Sequence, residues 1–163
     1  MITFNFKGLY QTIVDASNPT LSNLESTLPQ IIQDASFTWG SYSAIASKLD
    51  LDFGANVVPA ESFNASYAIY AFRISDRDPK GSFNPDATLE ATHPFWADWK
   101  GNTTRALSIQ IGESAGNICT ISIPKCSSTG PKYEDKEGVL AYNVPFMMVE
   151  NATDDDEISI AFT

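Results

Sequence analysis

The sequence predicts a mainly β fold, a β-sandwich or barrel-like domain with one short flanking helix near residues 94–100. Three observations lead there. Apolar residues recur at every second position along most of the chain, which is the spacing of a strand with one buried face. Clusters of Gly, Pro, Asn and Asp separate these runs, as turns require. Only one stretch carries helical spacing. At 163 residues, with 43% hydrophobic and 12% aromatic side chains, residues 1–163 have the size and composition of a single β-rich domain. Such a chain can bury a core without disulfide or metal staples.

The elements follow in order. Ile2, Phe4 and Phe6 alternate with polar residues and predict a half-buried strand. Residues 1–10 form no apolar block behind a basic start, so no signal peptide is expected. Residues 15–30 (DASNPTLSNLESTLPQ) read as a long surface loop, long enough to suggest a function. Residues 36–39 predict a short strand. Residues 48–53 predict a clean one, with Leu49, Leu51 and Phe53 inward and Lys48, Asp50 and Asp52 outward, ended by Gly54. Residues 67–75 form a longer strand in which Tyr70, Phe72 and Ile74 alternate. Asp76 to Pro79 close it, and Ser82 and Phe83 begin a short return strand.

The helix is expected to start at Pro94, in the first helical position. Phe95, Trp96 and Trp99 would share one face against the sheet, Asp98 and Lys100 would fall off it, and Gly101 would stop it. The last third is strand after strand. Leu107, Ile109 and Ile111 alternate, residues 112–117 turn, and Cys119, Ile121 and Ile123 alternate on the return. Strands over 139–149, kinked at Pro145, and over 157–162 complete the pattern around a turn at 151–156.

Little in the sequence points to chemistry. His93 is the only histidine, so any nucleophilic triad has one available base. At a helix N-terminus the dipole disfavours its charged form, and it is read as a packing or capping residue. Cys119 and Cys126 are seven residues apart, some 23 Å on one extended strand at about 3.3 Å per residue. They are therefore read as reduced thiols, in keeping with a cytosolic product. The run Asp154, Asp155, Asp156 and Glu157 offers hard oxygen ligands but lacks the spacing of a calcium loop, and is read as a solvated turn. No spacing singles out Asp76, Asp78 and Asp86 as a hydrolytic carboxylate pair. The sequons at Asn64, Asn102 and Asn151 are of a kind frequent by chance. The net charge of −10 disfavours nucleic-acid binding, which needs Lys and Arg to displace counterions. No catalytic residue, cofactor or metal ligand is assigned, and no enzyme is expected.

Several stretches resemble tail tube proteins of long-tailed bacteriophages. These are residues 72–89 (FRISDRDPKGSFNPDATL) running into 91–100 (ATHPFWADWK), residues 51–59 (LDFGANVVP), residues 111–117 (IGESAGN), and the closing DDEISIAFT. In their order and spacing they cover most of 35–163. The resemblance implies a structural virion protein of a phage or prophage tail, assembled in the bacterial cytoplasm. Its copies would form stacked, hexameric rings, associate with other tail proteins, and let DNA pass the lumen without specific binding. Members of the family carry further sequence ahead of a strand like that at 2–10, which implies either an excised C-terminal domain of a longer protein or a prophage gene fragment. An acidic lumen would let DNA slide, with Asp50 and Asp52 as candidate lining residues. The loop 15–30 and the segment 127–138 (SSTGPKYEDKEG) are the expected inter-subunit arms. Two other readings stand beside this one. One is a carbohydrate- or receptor-binding module with Tyr10, Tyr42 or Tyr133 as an aromatic platform. The other is a head or capsid accessory protein.

Overall fold

A computed structural model describes residues 6–9, 12–18, 35–65, 67–153 and 156–163. The fold is mainly β with one short helix, as the residue pattern predicts. The chain divides into two compact units, residues 1–28 with 55–77, and residues 29–54 with 78–163. The expected strand at 2–7 lies largely outside the described residues, and residues 6–9 are not in a strand. The expected loop at 15–30 lies outside them from residue 19 onward.

The larger unit is built on one antiparallel sheet. Its strands are β1 (Ser36–Trp39), β2 (Ala46–Asp52), β5 (Lys80–Pro85), β6 (Thr104–Ile111), β7 (Cys119–Ser128), β8 (Lys132–Lys136), β9 (Val139–Met148) and β10 (Ser159–Phe162). The pairing order is β1-β6-β7-β9-β5-β2, with β10 beside β7 and β8 beside β9. Strand β5 follows an expected turn at 76–79 but pairs with β2 and β9, so it is not the return strand of a local hairpin.

The segment 119–148 is one long hairpin. β7 pairs Cys126 with Met148 and Ser128 with Phe146, and β8 continues the same partnership from Lys132↔Asn143 to Lys136↔Val139. The residues 129–131 between them absorb a shift in register, and Gly130 takes a positive φ of 129° there. Pro145 does not break β9. It pairs with Ser82 inside the β5 ladder.

Alternation places the core. Trp39, Phe83, Leu107, Ile123, Cys126, Val144 and Phe146 are fully buried. Trp39 of β1 and Phe83 of β5 come from near opposite ends of the strand order, yet their rings lie 5.0 Å apart. The sheet therefore curls over itself, and these aromatics fill its interior. Each such side chain removed from water contributes about 1.5–3 kcal/mol before entropy is charged against it. On β2, Leu49 and Leu51 pack against this core and the charged residues face out, as expected. Phe53 does not follow: it lies past the end of β2 and is 46% exposed. Gly54, at φ 56°, ends the strand where an added Cβ would collide with the backbone of Asp78.

The helix α1 (Phe95–Lys100) has Pro94 as its N-cap, one position earlier than the first-turn role expected of it. Phe95 packs on Phe83 and Tyr142, and Trp96 on Tyr142 and Tyr133. The assignment of faces fails at two residues. Asp98 is buried and Trp99 is exposed. Over a helix of six residues the face is decided by a single partner, and Arg105 draws Asp98 inward.

The smaller unit holds a hairpin of β3 (Asn56–Glu61) and β4 (Ile69–Asp76), bulged at both ends, with Pro59 opposite Phe72. Of the alternating residues Tyr70, Phe72 and Ile74, Tyr70 and Ile74 are exposed and Phe72 is half-buried.

Candidate functional site

Surfaces, not a cleft, are the informative features of the larger unit. On β2, Lys48 Nζ pairs with Asp50 Oδ2 at 2.8 Å, and this contact raises the Lys48 pKa. Asp52 Oδ1 accepts the Gly54 N–H at 3.0 Å. With Asp78, Lys80, Thr129, Phe146 and Met147 these acids border an open groove of about 480 Å³. Lys80 lies 3.6 Å from Asp78, so the groove presents exposed charges of both signs. Asp50 and Asp52 are exposed and share one strand, as their spacing implied.

The second feature is electrostatic and internal. His93 is 6% exposed, stacked on Tyr42 at 4.9 Å and edge-on to Phe95 at 4.4 Å. Its Nε2 has no hydrogen-bond partner and lies 3.5 Å from Asp98 Oδ2. Both Asp98 oxygens are taken by Arg105, Nε to Oδ2 at 2.9 Å and Nη2 to Oδ1 at 2.8 Å. This bidentate bond holds the Arg105 pKa above its ordinary value. Desolvation pushes the His93 pKa down, against the pull of Asp98. Among the described residues no hydroxyl or thiol bonds the His93 Nε2, and the ring packs among aromatic side chains. It ties the 86–94 segment and α1 to the sheet. The sequence could not anticipate the pairing of Asp98 with Arg105, because its signal is only two charges seven residues apart.

Around α1 and the β8–β9 hairpin, Trp96, Trp99, Tyr133 and Tyr142 form a connected group of rings with centroid separations of 5.4–6.4 Å. Tyr133 is 63% exposed and Trp99 is exposed beside it. Of the platform residues weighed from sequence, Tyr133 is therefore on an aromatic surface. Tyr42 faces His93 instead, and Tyr10 lies outside the described residues.

The remaining candidates are dispersed. Asp86 pairs with Lys136 at 2.8 Å and Asp78 with Lys80, while Asp76 belongs to the smaller unit. Among the described residues no group of three or more His, Cys, Asp or Glu side chains is arranged to hold a metal ion. Asp154 and Asp155 lie outside the described residues. Asp156 accepts the backbone N–H groups of Asn151, Ala152 and Thr153 at 2.7–3.0 Å, which holds its pKa down at about 2. It thus closes the turn between β9 and β10. Cys119 and Cys126 are both free and share β7; burial pushes the Cys126 thiol up to about 12. Asn64, Asn102 and Asn151 are exposed. No helix among the described residues is long and apolar enough to cross a membrane.

In the smaller unit, Phe63, Tyr67, Tyr70 and Ile74 are exposed on or beside the β3–β4 hairpin, with the Arg73 guanidinium 5.3 Å from the Tyr70 ring centroid.

No protein-family model matches the chain, and no curated protein matches it by sequence. Solved structures do match in fold. The anti-feeding prophage cap (the AFP tube terminating cap) aligns over 87% of this chain and 97% of that one, with a TM-score of 0.60 and 10% identity. The PVC sheath/tube terminator of an extracellular contractile injection system aligns over 84% and 99%, with a TM-score of 0.61 and 7% identity. A chain of the native gene transfer agent virion aligns over 80% and 95%, with a TM-score of 0.52 and 12% identity. This chain therefore shares the fold of components of tails and contractile injection systems, and at these identities the likeness is one of fold.

Proposed function

We propose that this chain is a structural subunit of a phage-tail-like tube or of the cap that terminates one, working by packing against copies of itself and other tail proteins. The observation that carries this reading is the fold correspondence to a tube-terminating cap and a sheath/tube terminator, each over more than four-fifths of both chains. The surface supports it. The β3–β4 hairpin exposes large apolar side chains, of the kind that mark contact surfaces between proteins.

In this proposal the copies form a closed ring, hexameric as in the resembled family, and the rings stack in a virion tail or related particle. The two inter-subunit arms are residues 15–30 and the segment 127–138. DNA or another cargo passes a lumen to which the net charge of −10 gives little affinity for phosphate. The test is light scattering on the purified chain, joined with negative-stain electron microscopy. Rings or tubes of uniform width support the reading; a monodisperse monomer at the highest soluble concentration overturns it.

The Trp96, Trp99 and Tyr133 surface favours a second reading, a carbohydrate-binding module, because sugars stack on such rings. Titration with glycans, followed by tryptophan fluorescence, separates the two. A saturable change with a monomeric chain would favour the module.

A further inference from the structure

The last strand leaves a free edge whose chemistry is specific. Ile118 and Thr163 exchange both backbone hydrogen bonds, N–H to O at 2.8 and 3.0 Å, which makes them a hydrogen-bonded pair. The register then runs Phe162↔Cys119, Ala161↔Thr120, Ile160↔Ile121 and Ser159↔Ser122. In an antiparallel ladder such pairs alternate, so Ala161 and Ser159 bond to β7 while the N–H and C=O of Ile160 and Phe162 point away from it. Among the described residues no strand takes up that outer edge. The side chains agree. Ile160 is 47% and Phe162 73% exposed, and the strand Ser-Ile-Ala-Phe has no charge and no proline. Natural edge strands are usually blunted by Lys, Pro or a bulge, and this one is bare.

We propose that the outer edge of β10 pairs with a strand of a second copy of this chain, and that the partner strand is β2. This rests on the self-associating reading above and names the surface that carries it. β2 is the terminal strand of the same sheet; it is bulged over 46–49, where Asn84 Oδ1 accepts the Ser47 and Lys48 N–H groups, and its regular part, Leu49–Asp52, matches the four residues of β10. The sheet's other terminal strand, β1, is four residues long, and Tyr42 folds back to exchange both hydrogen bonds with Trp39 at its end. On β2, Lys48 pairs with Asp50 and Asp52 accepts the Gly54 N–H, which leaves the strand one net negative charge. The uncharged strand β10 sets no like charge against it. Pairing β10 of one copy with β2 of the next uses two different surfaces, so every copy both gives and receives an edge. A head-to-tail contact of this kind closes into a ring when its rotation permits.

The outward N–H of Ile160 makes a selective test available. Ile160→Pro removes one donor from the outer edge and none from the β7 ladder, a position where a strand tolerates proline. Phe162→Lys blunts the same edge without touching the backbone. Both variants and the wild-type chain are measured by analytical ultracentrifugation, with circular dichroism to check the fold and amide hydrogen exchange to locate protection. The expected result is loss of the assembled species in both variants at wild-type fold. In the wild type, the amides of residues 160 and 162 become protected on assembly together with amides along 46–52. Should Ile160→Pro fail to fold, Phe162→Lys and the wild-type exchange pattern decide. Wild-type assembly that both variants reproduce, with the amides of 160 and 162 still exchanging freely, overturns this edge and leaves self-association standing. Protection at 160 and 162 with no change along 46–52 overturns the choice of β2. A wild-type chain that never assembles overturns both this pairing and the reading it rests on.

Discussion

At position 93 an imidazole lies between Tyr42 and Phe95, with Asp98 on its flank and Asp98 already committed to Arg105. Burial lowers its proton affinity, and the nearby Arg105 lowers it further, while Asp98 and Glu90 act the other way. The unfolded chain thus takes up the proton at higher pH than the folded one. The stability His93 contributes is full above about pH 6.5, the ordinary histidine value, and is lost as pH falls through the folded value. His93→Gln is expected to flatten the fall in urea midpoint between neutral and mildly acid pH; an unchanged slope would show that another group sets it. Asp156 titrates in a different window. Its carboxylate is held at about 2 by three backbone N–H groups, so its contribution is present above about pH 3.8 and lost below, toward pH 2. Asp98→Asn is a third probe. It takes a buried carboxylate from Arg105, and a hydrogen bond to a charged group contributes about 1.5–3 kcal/mol. With Arg105 partly exposed, the lower end of that range is expected in chemical denaturation. Restored stability in the double change with Arg105→Gln would show that the pair, not the site, carries the cost.

Strand β5 shows how an element depends on having no side chain at one place. Gly81 lies between β2 and β9, where an added Cβ would stand 2.5 Å from the Phe146 ring and 2.6 Å from the Asp50 carbonyl oxygen. Gly81→Ala is expected to lose about 1–3 kcal/mol through overpacking, read from the denaturation midpoint, and a neutral result would mean that β2 can move away. This crowding is invisible in sequence, and it marks where sequence reading stops. Strands with clean alternation and turn residues beside them were legible: 36–39, 107–111 and 119–123 all lie within strands where their apolar spacing puts them, although β6 begins earlier, at Thr104, and β7 runs on to Ser128. β3 was not, because Pro59 in NVVPAE argues against a strand, and the proline is accommodated in a two-stranded ribbon. β8 was legible only in part: the Gly, Pro and charge of 127–138 are those of a projecting hairpin, and the pairing of Lys132–Lys136 with β9 makes it one arm of such a hairpin. The candidate interface was partly legible. The acids of β2 follow from alternation, but the free edge of β10 depends on which strand lies beside β7, and strand order is set by long-range packing.

For the whole molecule the governing quantity is charge, 20 acidic against 10 basic side chains. Bringing copies of such a chain together places like charges near one another, so assembly driven by backbone pairing and apolar contact works against a repulsion that salt screens. The screening length falls from about 30 Å at 0.01 M to about 10 Å at 0.1 M ionic strength. Assembly, measured by light scattering, is accordingly expected to increase with salt over that range. Contact dominated by cross-subunit ion pairs would give the opposite trend. DNA provides the complementary measurement, because phosphate binding always weakens as salt rises. Of the 10 lysines and arginines, Lys48 pairs with Asp50, Lys80 with Asp78, Lys136 with Asp86 and Arg105 with Asp98, and 20 acidic side chains outnumber the whole set. That excess of carboxylates works against phosphate binding at the other cations. Duplex DNA is therefore expected to give no anisotropy change with the chain even at low ionic strength, and the assembled form should behave likewise. In the proposed tube, a wall that repels the polyanion would offer it no resting place, whereas tight binding with a steep inverse salt dependence would mean that a basic surface had formed on assembly and would count against a DNA conduit.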